Sequence, residues 1–191
     1  MHINALLARR LRDLRALRRM PMEALAERSG VSRSMISLIE RGESSPTAAV
    51  LDKLARALDV SLASLFEPDP AVAPPSPLAL AADQPTWTDP ASGYLRRHLS
   101  PALPSPLRLI EVVFPAGAQV TYDNAGQGAV LQQQVWMLDG CMRIGLGEER
   151  WLLQPGDCLA MRLHRPSHFH NPGTEAARYL VALHLPAGDG A

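Results

Sequence analysis

Apolar residues change their spacing about half-way along the chain. Up to about residue 66 they recur every three or four positions, as on one face of an α-helix. After about Leu107 they come in short runs broken by glycine and proline, as in strands joined by turns. The pattern predicts an α + β protein of two domains, with helices first and a β-sandwich or barrel second.

Five helices are predicted in the first part. The third is the best defined, because Ser32 is a favourable N-cap and Gly42 suits the position that follows a helix. Gly30 permits the tight turn before it, Thr47 is placed to cap a fourth helix, and Ser61 a short fifth one. Two short helices joined through a glycine turn have the geometry of a helix-turn-helix.

Prolines mark the boundary between the two parts. Ten of the 17 prolines lie between Pro68 and Pro106. Proline has no N–H donor and a fixed φ, so this segment is unsuited to a helix or an inner strand. We therefore predict a helical domain over residues 1–67, a proline-rich linker over 68–93 and a barrel domain over 94–191.

Charge and cysteine content narrow the class of protein. The formal net charge is zero, but residues 1–67 carry +3 and residues 68–191 carry −3, which permits a nucleic-acid-binding first domain. Two cysteines are few for a disulfide-stapled secreted fold. Because the chain has no apolar run of about 18 residues and no signal-peptide pattern, we expect a cytoplasmic protein without a membrane segment.

The segment from Leu25 to Gly42, LAERSGVSRSMISLIERG, closely resembles the XRE-type (λ/434-repressor-like) helix-turn-helix family. The resemblance extends over residues 5–66 and includes the downstream Ser45-Pro46-Thr47. It implies that the third helix lies in the major groove of DNA, with its first residues near the base edges. The DNA contacts that it implies come from Ser32, Arg33, Ser34, Met35, Ser37, Leu38, Arg41, Ser45 and Thr47.

The resemblance also implies individual roles. Arg33 is placed for a bidentate bond to guanine, worth about 1–3 kcal/mol of discrimination. Leu38 either touches a thymine methyl group or simply covers the surface, while Ser45 and Thr47 suit phosphate contacts. In this family, the positions of Arg15 and Glu40 form an internal ion pair between the first and third helices.

The second half resembles a cupin, a double-stranded β-helix or jelly-roll barrel. The resemblance rests on turns such as Pro115-Ala116-Gly117 and Asn171-Pro172-Gly173, and it covers about residues 94–186. Within it, the runs from Val130 to Leu138 and from Cys141 to Leu146 are predicted strands that pair as a hairpin.

Metal-binding cupins carry a His-x-His pair and a glutamate, and then a further histidine. Side chains of other types stand at the matching positions here, namely Tyr122, Asn124, Gln133 and Ser167. Because a divalent transition metal requires imidazole and carboxylate ligands, we expect neither a metal nor another cofactor. The polar groups that we expect to line a ligand pocket are Tyr122, Gln133, His168 and His170.

The leading hypothesis is a sequence-specific DNA-binding transcriptional regulator, and not an enzyme. It would bind a pseudo-palindromic operator in double-stranded DNA as a homodimer and respond to a small molecule through a metal-free barrel. One alternative is a metal-dependent cupin oxidase or epoxidase with an accessory helix-turn-helix domain. Another is a helical domain that serves only for contact with other proteins.

Overall fold

The computed structural model describes residues 3–66, 76–103, 105–124 and 131–184. Four α-helices lie in the first of these ranges. They are α1 (Ile3–Leu17), α2 (Met22–Ser29), α3 (Arg33–Glu40) and α4 (Ala48–Ala57). None of the helices in these four ranges has the length and apolar character of a membrane span.

The fifth predicted helix is wrong in type, because Leu62–Phe66 forms a 3-10 helix. Ser61 precedes it as expected, and its hydroxyl accepts a hydrogen bond from the Ser64 amide at 3.1 Å. Short single turns of this kind commonly form the tighter hydrogen bonds of a 3-10 helix, between residues three apart. Ala63, Leu65 and Phe66 are nevertheless buried against the rest of the molecule.

The predicted ends of α3 and α4 are confirmed. Ser32 Oγ accepts from the Met35 amide and Thr47 Oγ1 accepts from the Val50 amide, each at 3.3 Å. Gly30 and Gly42 have φ angles of 66° and 73°, the left-handed region that residues with a Cβ rarely enter. The turn between α2 and α3 is therefore fixed by local sequence.

Within the described ranges, ten strands form two antiparallel sheets that face each other. The strands are β1 (Thr86–Thr88), β2 (Leu95–His98), β3 (Leu107–Phe114), β4 (Gln119–Tyr122), β5 (Leu131–Asp139), β6 (Met142–Leu146), β7 (Glu149–Leu153), β8 (Cys158–Leu163), β9 (Ser167–His170) and β10 (Ala177–His184). Their order is β1-β2-β3-β10-β5-β8 in one sheet and β4-β9-β6-β7 in the other. This is the jelly-roll arrangement expected of a cupin.

The barrel begins earlier than predicted. Residues 86–88, inside the segment predicted as linker (68–93), form the edge strand β1 and pair with β2. Proline at position 85 only precedes the strand, where its missing N–H costs no ladder hydrogen bond. Residues 68–75 of the predicted linker lie outside the described residues.

The predicted hairpin between the strands around residues 130–138 and 141–146 is wrong. β5 pairs with β8 and β10, whereas β6 pairs with β7 and β9 in the opposite sheet. Gly140 turns the chain from one sheet to the other with a φ of 73°, and a Cβ there would lie 2.9 Å from the Cα of Ala177. The chain does turn at Gly140 as expected, but the turn joins strands of two different sheets rather than the two strands of a hairpin.

The two domains share a packed joint. Phe66, 1% exposed, lies between the Trp87 ring, at 5.5 Å between centroids, and the His98 ring, stacked at 4.8 Å. The buried Asp89 carboxylate, from the loop after β1, accepts from the Ala48 amide at 2.9 Å and so caps the N-terminus of α4. The helical domain is thus held on the barrel by apolar packing and by a helix cap.

Candidate nucleic-acid interface and barrel cavity

Helix α3 turns one face to the core and the other to solvent. Ile36 and Ile39 are buried, as predicted. The other face carries side chains that are exposed or half-buried, namely Ser32, Arg33, Ser34, Met35, Ser37, Leu38 and Arg41. We call this set the α3 face. Hydroxyl groups and two guanidinium groups on a protruding helix suit contact with base edges and phosphates.

Both arginines of the α3 face are paired with nearby carboxylates. Arg33 Nε lies 3.1 Å from Glu23 Oε1, and Arg41 Nε lies 2.8 Å from Glu43 Oε1. All four side chains are at least half exposed, so water screens both pairs and each contributes little to stability. Arg41 also donates to Ser37 Oγ, and its hydrogen bonds lower the pKa of Glu43.

Ser45 and Thr47 flank the start of α4. Ser45 is exposed and donates to Asn4 Oδ1 at 3.4 Å. Thr47 is half-buried, and its oxygen already serves as the N-cap of α4. Ser45 is therefore the more accessible of the two predicted phosphate contacts.

The structure brings Arg15 and Glu40 together across α1 and α3. The guanidinium donates two parallel hydrogen bonds to the carboxylate, at 2.7 and 2.8 Å, and a third to the Met20 carbonyl at 3.1 Å. The side chain of Glu40 is only 7% exposed, and the bond to it raises the pKa of Arg15. Arg12 donates to the Glu40 backbone carbonyl as well. This cluster fixes α3 relative to α1.

A cavity of about 70 Å³ lies inside the barrel. Two of the four predicted pocket residues, Tyr122 and Gln133, line it. His168 and His170 do not, and this part of the prediction is wrong. On β9 the buried residues are Ser167 and Phe169, so the alternation of the strand places both histidines on the outer face. The two rings do share that face, 6.3 Å apart, and His168 Nδ1 lies 3.0 Å from Thr121 Oγ1.

The four positions that match the metal ligands of cupins meet in this cavity, because Tyr122, Asn124, Gln133 and Ser167 all line it. Three of the four, Tyr122, Asn124 and Ser167, already have hydrogen-bond partners in or beside the cavity. Asn124 Nδ2 donates to Ser167 Oγ at 2.9 Å, and the Tyr122 hydroxyl lies 2.7 Å from that of Tyr94. A phenol, two amides and an alcohol do not fit a divalent transition metal.

Three charged or polar groups of the cavity were not predicted from the sequence. Arg96 reaches the cavity from β2, Tyr94 from the turn just before β2, and Asp52 from α4. Burial raises the pKa of Asp52 to about 6, although Arg56 and the Asp123 amide, at 3.3 and 3.2 Å, act in the opposite direction. Leu62 and Ala63 of the 3-10 helix line the cavity too, so the helical domain forms part of its wall.

Comparison with known proteins bears on both domains. Residues 11–65 match the HTH_3 helix-turn-helix family. The first domain is an XRE-type helix-turn-helix domain. The HTH-type transcriptional regulator SutR of Escherichia coli is 42% identical over 64 residues, which are 34% of this chain and 36% of that protein. The match therefore spans little more than a third of the length of this relative.

Similarity to a solved structure extends along the whole chain. An HTH_3 family transcriptional regulator from Vibrio cholerae has a TM-score of 0.73 and 26% identity, with 96% of this chain and 97% of that one covered. The similarity therefore includes the barrel of this chain as well as its helix-turn-helix domain. A hydroxypropylphosphonic acid epoxidase from S. wedmorenis has a TM-score of 0.47 and 20% identity, a likeness too low to bear on function.

Proposed function

We propose that the protein is a sequence-specific DNA-binding transcriptional regulator that responds to a small molecule, and that it is not an enzyme. The observation that carries the proposal is the α3 face, an array of hydroxyls and arginines on an XRE-type helix-turn-helix. The relatives SutR and the Vibrio cholerae protein, both transcriptional regulators by name, support it. The location that we propose for it is the cytoplasm.

In this proposal the first residues of α3 read bases. Arg33 gives up its exposed pair with Glu23 and donates two hydrogen bonds to a guanine. Ser34 and Ser37 lie on the same side of the helix and contact neighbouring base edges or phosphates. Ser45 donates to a phosphate, which positions the domain without reading sequence.

We further propose that the protein binds DNA as a homodimer through the outer apolar patch, defined as Leu109, Trp136, Leu180 and Ala182. Register pairs Leu180 with Trp136 and Ala182 with Leu109 on the outer face of the six-stranded sheet, and Trp136 is 49% exposed. Ion pairs of Arg178 with Glu111 and Asp139 border the patch. An apolar centre with a charged rim is typical of protein interfaces, and a second copy supplies the two-fold symmetry of a palindromic operator.

The barrel cavity is the proposed effector site. Its wall contains Asp52, Leu62 and Ala63 of the helical domain, so a bound molecule would touch both domains. A ligand that prefers one arrangement of these domains shifts the population toward it, and DNA affinity changes with that population.

The alternative of a metal-dependent oxidase or epoxidase is disfavoured by the donor set of the cavity. The described residues contain no cluster of three histidine, cysteine or acidic side chains able to hold a metal. Elemental analysis of protein purified without a histidine tag tests this. We expect less than one metal ion per ten chains, whereas stoichiometric iron would support the enzyme.

An electrophoretic mobility shift on the DNA upstream of the protein's own gene tests the proposed function. Wild type should shift this DNA in the presence of competitor, and Arg33→Ala should lose the specific band. Arg143→Ala, which removes an exposed arginine of the barrel, is the matched control and should bind like wild type. If upstream DNA is not shifted even at low salt, the helical domain serves protein contacts instead.

A further inference from the structure

Arg96 brings a positive charge into the barrel. In β2, Arg96 lies opposite Trp87 and Val112, two residues buried in the interior, whereas the next residue, Arg97, lies opposite Glu111 on the outer face. Arg97 forms an ion pair with Glu111 at 3.5 Å. Arg96 lines the cavity, with its guanidinium 5.5 Å from the centre of the Phe66 ring.

The charge of Arg96 has no carboxylate partner among the described residues, and its Nε is buried without a hydrogen bond. The groups around it are tyrosines. Tyr94 and Tyr179 are buried and Tyr122 is half-buried. Desolvation raises the pKa of all three hydroxyls, and the Arg96 charge opposes that rise. Their hydroxyls are therefore neutral donors close to an unneutralised cation, and an unpaired charge in such surroundings is costly.

Among the described residues that line the cavity, Asp52 is the one with a carboxylate, and its charge is balanced by Arg56 rather than by Arg96. Asp52 Oδ2 lies 3.3 Å from Arg56 Nε and accepts from the Asp123 amide at 3.2 Å. Much of the remaining wall is apolar and includes aliphatic side chains such as Leu131, Val181 and Leu183. The cavity thus offers a cation and hydroxyl donors beside an apolar wall.

We infer that the barrel cavity binds a short-chain carboxylate anion, with its carboxylate on Arg96 and its alkyl group against the apolar wall. A carboxylate matches the planar donors of a guanidinium. Because Tyr94 and Tyr122 share a single hydrogen bond, one of their two hydroxyl hydrogens is left to donate to the carboxylate. The volume of about 70 Å³ is about half that of an engineered cavity that holds benzene, which limits the ligand to a few carbon atoms. The inference rests on the proposed role of the cavity as effector site and assigns the chemical class of the effector.

Titration calorimetry and thermal unfolding of the full chain with propionate test the inference. Propionamide, neutral and of the same shape, and propylamine, which is cationic, are the comparison probes. Wild type should bind propionate and be stabilised by it, with at least tenfold weaker binding of both comparison probes. Equal binding of propionamide, or no binding of propionate at millimolar concentration, would overturn the assignment.

Two variants separate a specific anchor from a general effect of charge. Arg96→Met keeps a long side chain over Phe66 and should bind propionate at least tenfold more weakly, while Arg96→Lys should retain part of the affinity. Arg97→Met removes the neighbouring charge on the outer face and should bind like wild type. Arg96→Met that is folded by circular dichroism and binds propionate like wild type would exclude Arg96 as the anchor.

DNA binding measured on the same proteins keeps the two proposals distinguishable. If the mobility-shift band that depends on Arg33 persists but propionate does not bind, the assigned ligand class is wrong and the proposed DNA-binding function is unaffected. If propionate binds through Arg96 but leaves DNA affinity unchanged, the assigned ligand class is supported and the proposed role of the cavity as effector site is wrong. Specific DNA binding by wild type that changes at least threefold with propionate, but is unchanged in Arg96→Met, would support both.

Discussion

The α3 face and the barrel cavity both present arginine, but in opposite surroundings. Arg33 and Arg41 are exposed and each has a carboxylate within about 3 Å, from Glu23 and Glu43. Arg96 has a buried Nε with no hydrogen-bond partner. Exposed pairs are screened by water and are exchanged at little cost, whereas a buried cation gains much from a counter-charge.

In the two proposals made above, this difference corresponds to two kinds of partner. A polyanion such as DNA brings many charges to an exposed face and displaces weak surface pairs as it docks. A cavity of about 70 Å³ admits only a small molecule, which must itself carry the missing charge. Asp52, Leu62 and Ala63 of the helical domain line the cavity, so in this proposal an effect of one site on the other would pass through that contact.

The largest expected effect comes from breaking the joint. Phe66→Ala should lower the free energy of unfolding by about 3–5 kcal/mol, because it removes a buried ring that packs on both domains. All three tryptophans lie in the barrel, so their fluorescence reports that domain while far-ultraviolet circular dichroism reports the helices. Urea unfolding should show one transition for wild type and two for the variant. Coincident transitions with a loss below 1 kcal/mol would mean that the domains are not coupled there.

The next effect concerns the proposed homodimer. Trp136→Glu places a charge in the outer apolar patch and should give monomers at micromolar concentration. Operator affinity should then fall about 100-fold or more, because the two half-sites are no longer bound together. Leu152→Glu, at an exposed leucine on the other sheet, is the control and should stay dimeric. Sedimentation velocity measures the oligomeric state of both variants. A Trp136→Glu variant that remains dimeric would show that the interface lies elsewhere.

A smaller effect, dependent on pH, is expected at Asp52. Burial raises its pKa from 3.8 to about 6 in the folded chain, so the folded state binds the proton more tightly than the unfolded state. Its contribution to stability therefore falls as pH rises from about 4 to 6 and is constant above. Asp52→Asn should gain stability relative to wild type over this window, by at most about 3 kcal/mol.

Urea unfolding at intervals from pH 4 to 8 measures the difference between the two proteins. Asp59→Asn is a matched control, since Asp59 is 57% exposed and asparagine tolerates its positive φ. Its difference from wild type should vary little with pH. A difference for Asp52→Asn that is equally flat would show that Asp52 is not desolvated by the domain joint.

The smallest effect concerns the exposed pairs of the α3 face. Glu23→Gln frees Arg33 and removes a charge that repels phosphate, so DNA should bind about two- to fivefold more tightly at low salt. The gain should shrink as salt is raised. Glu27→Gln, at an exposed glutamate one turn along α2, should give a weaker gain in the same fluorescence anisotropy titration. Equal gains would mean that the pair with Glu23 does not restrain Arg33.

Features of the helical domain that depend on residues close together in the sequence could be predicted from the sequence. The caps at Ser32 and Thr47 and the burial of Ile36 and Ile39 need only local hydrogen bonds and the helical period. The fifth helix shows the limit, since a cap and an apolar pattern do not distinguish an α-helix from a 3-10 helix over five residues.

The barrel was harder to predict because its contacts join distant residues. The run Leu95-Arg96-Arg97-His98 has no alternation of polar and apolar residues, so which arginine faces inward depends on register with β3. The same problem affected His168 and His170, because a shift of one residue exchanges the two faces of a strand. Tyr122 and Gln133 were predicted through their positions in the cupin motifs.

The central claim is that α3 reads DNA sequence through Arg33. Its most direct test selects an operator from random DNA with the full-length wild type and then measures competition by every single-base substitution, for wild type and for Arg33→Ala. Wild type should discriminate one guanine in each half-site by about 1–3 kcal/mol, and the variant should lose discrimination at that position alone. Identical base preferences for the two proteins at every position, or a selection that yields no common sequence, would contradict the account.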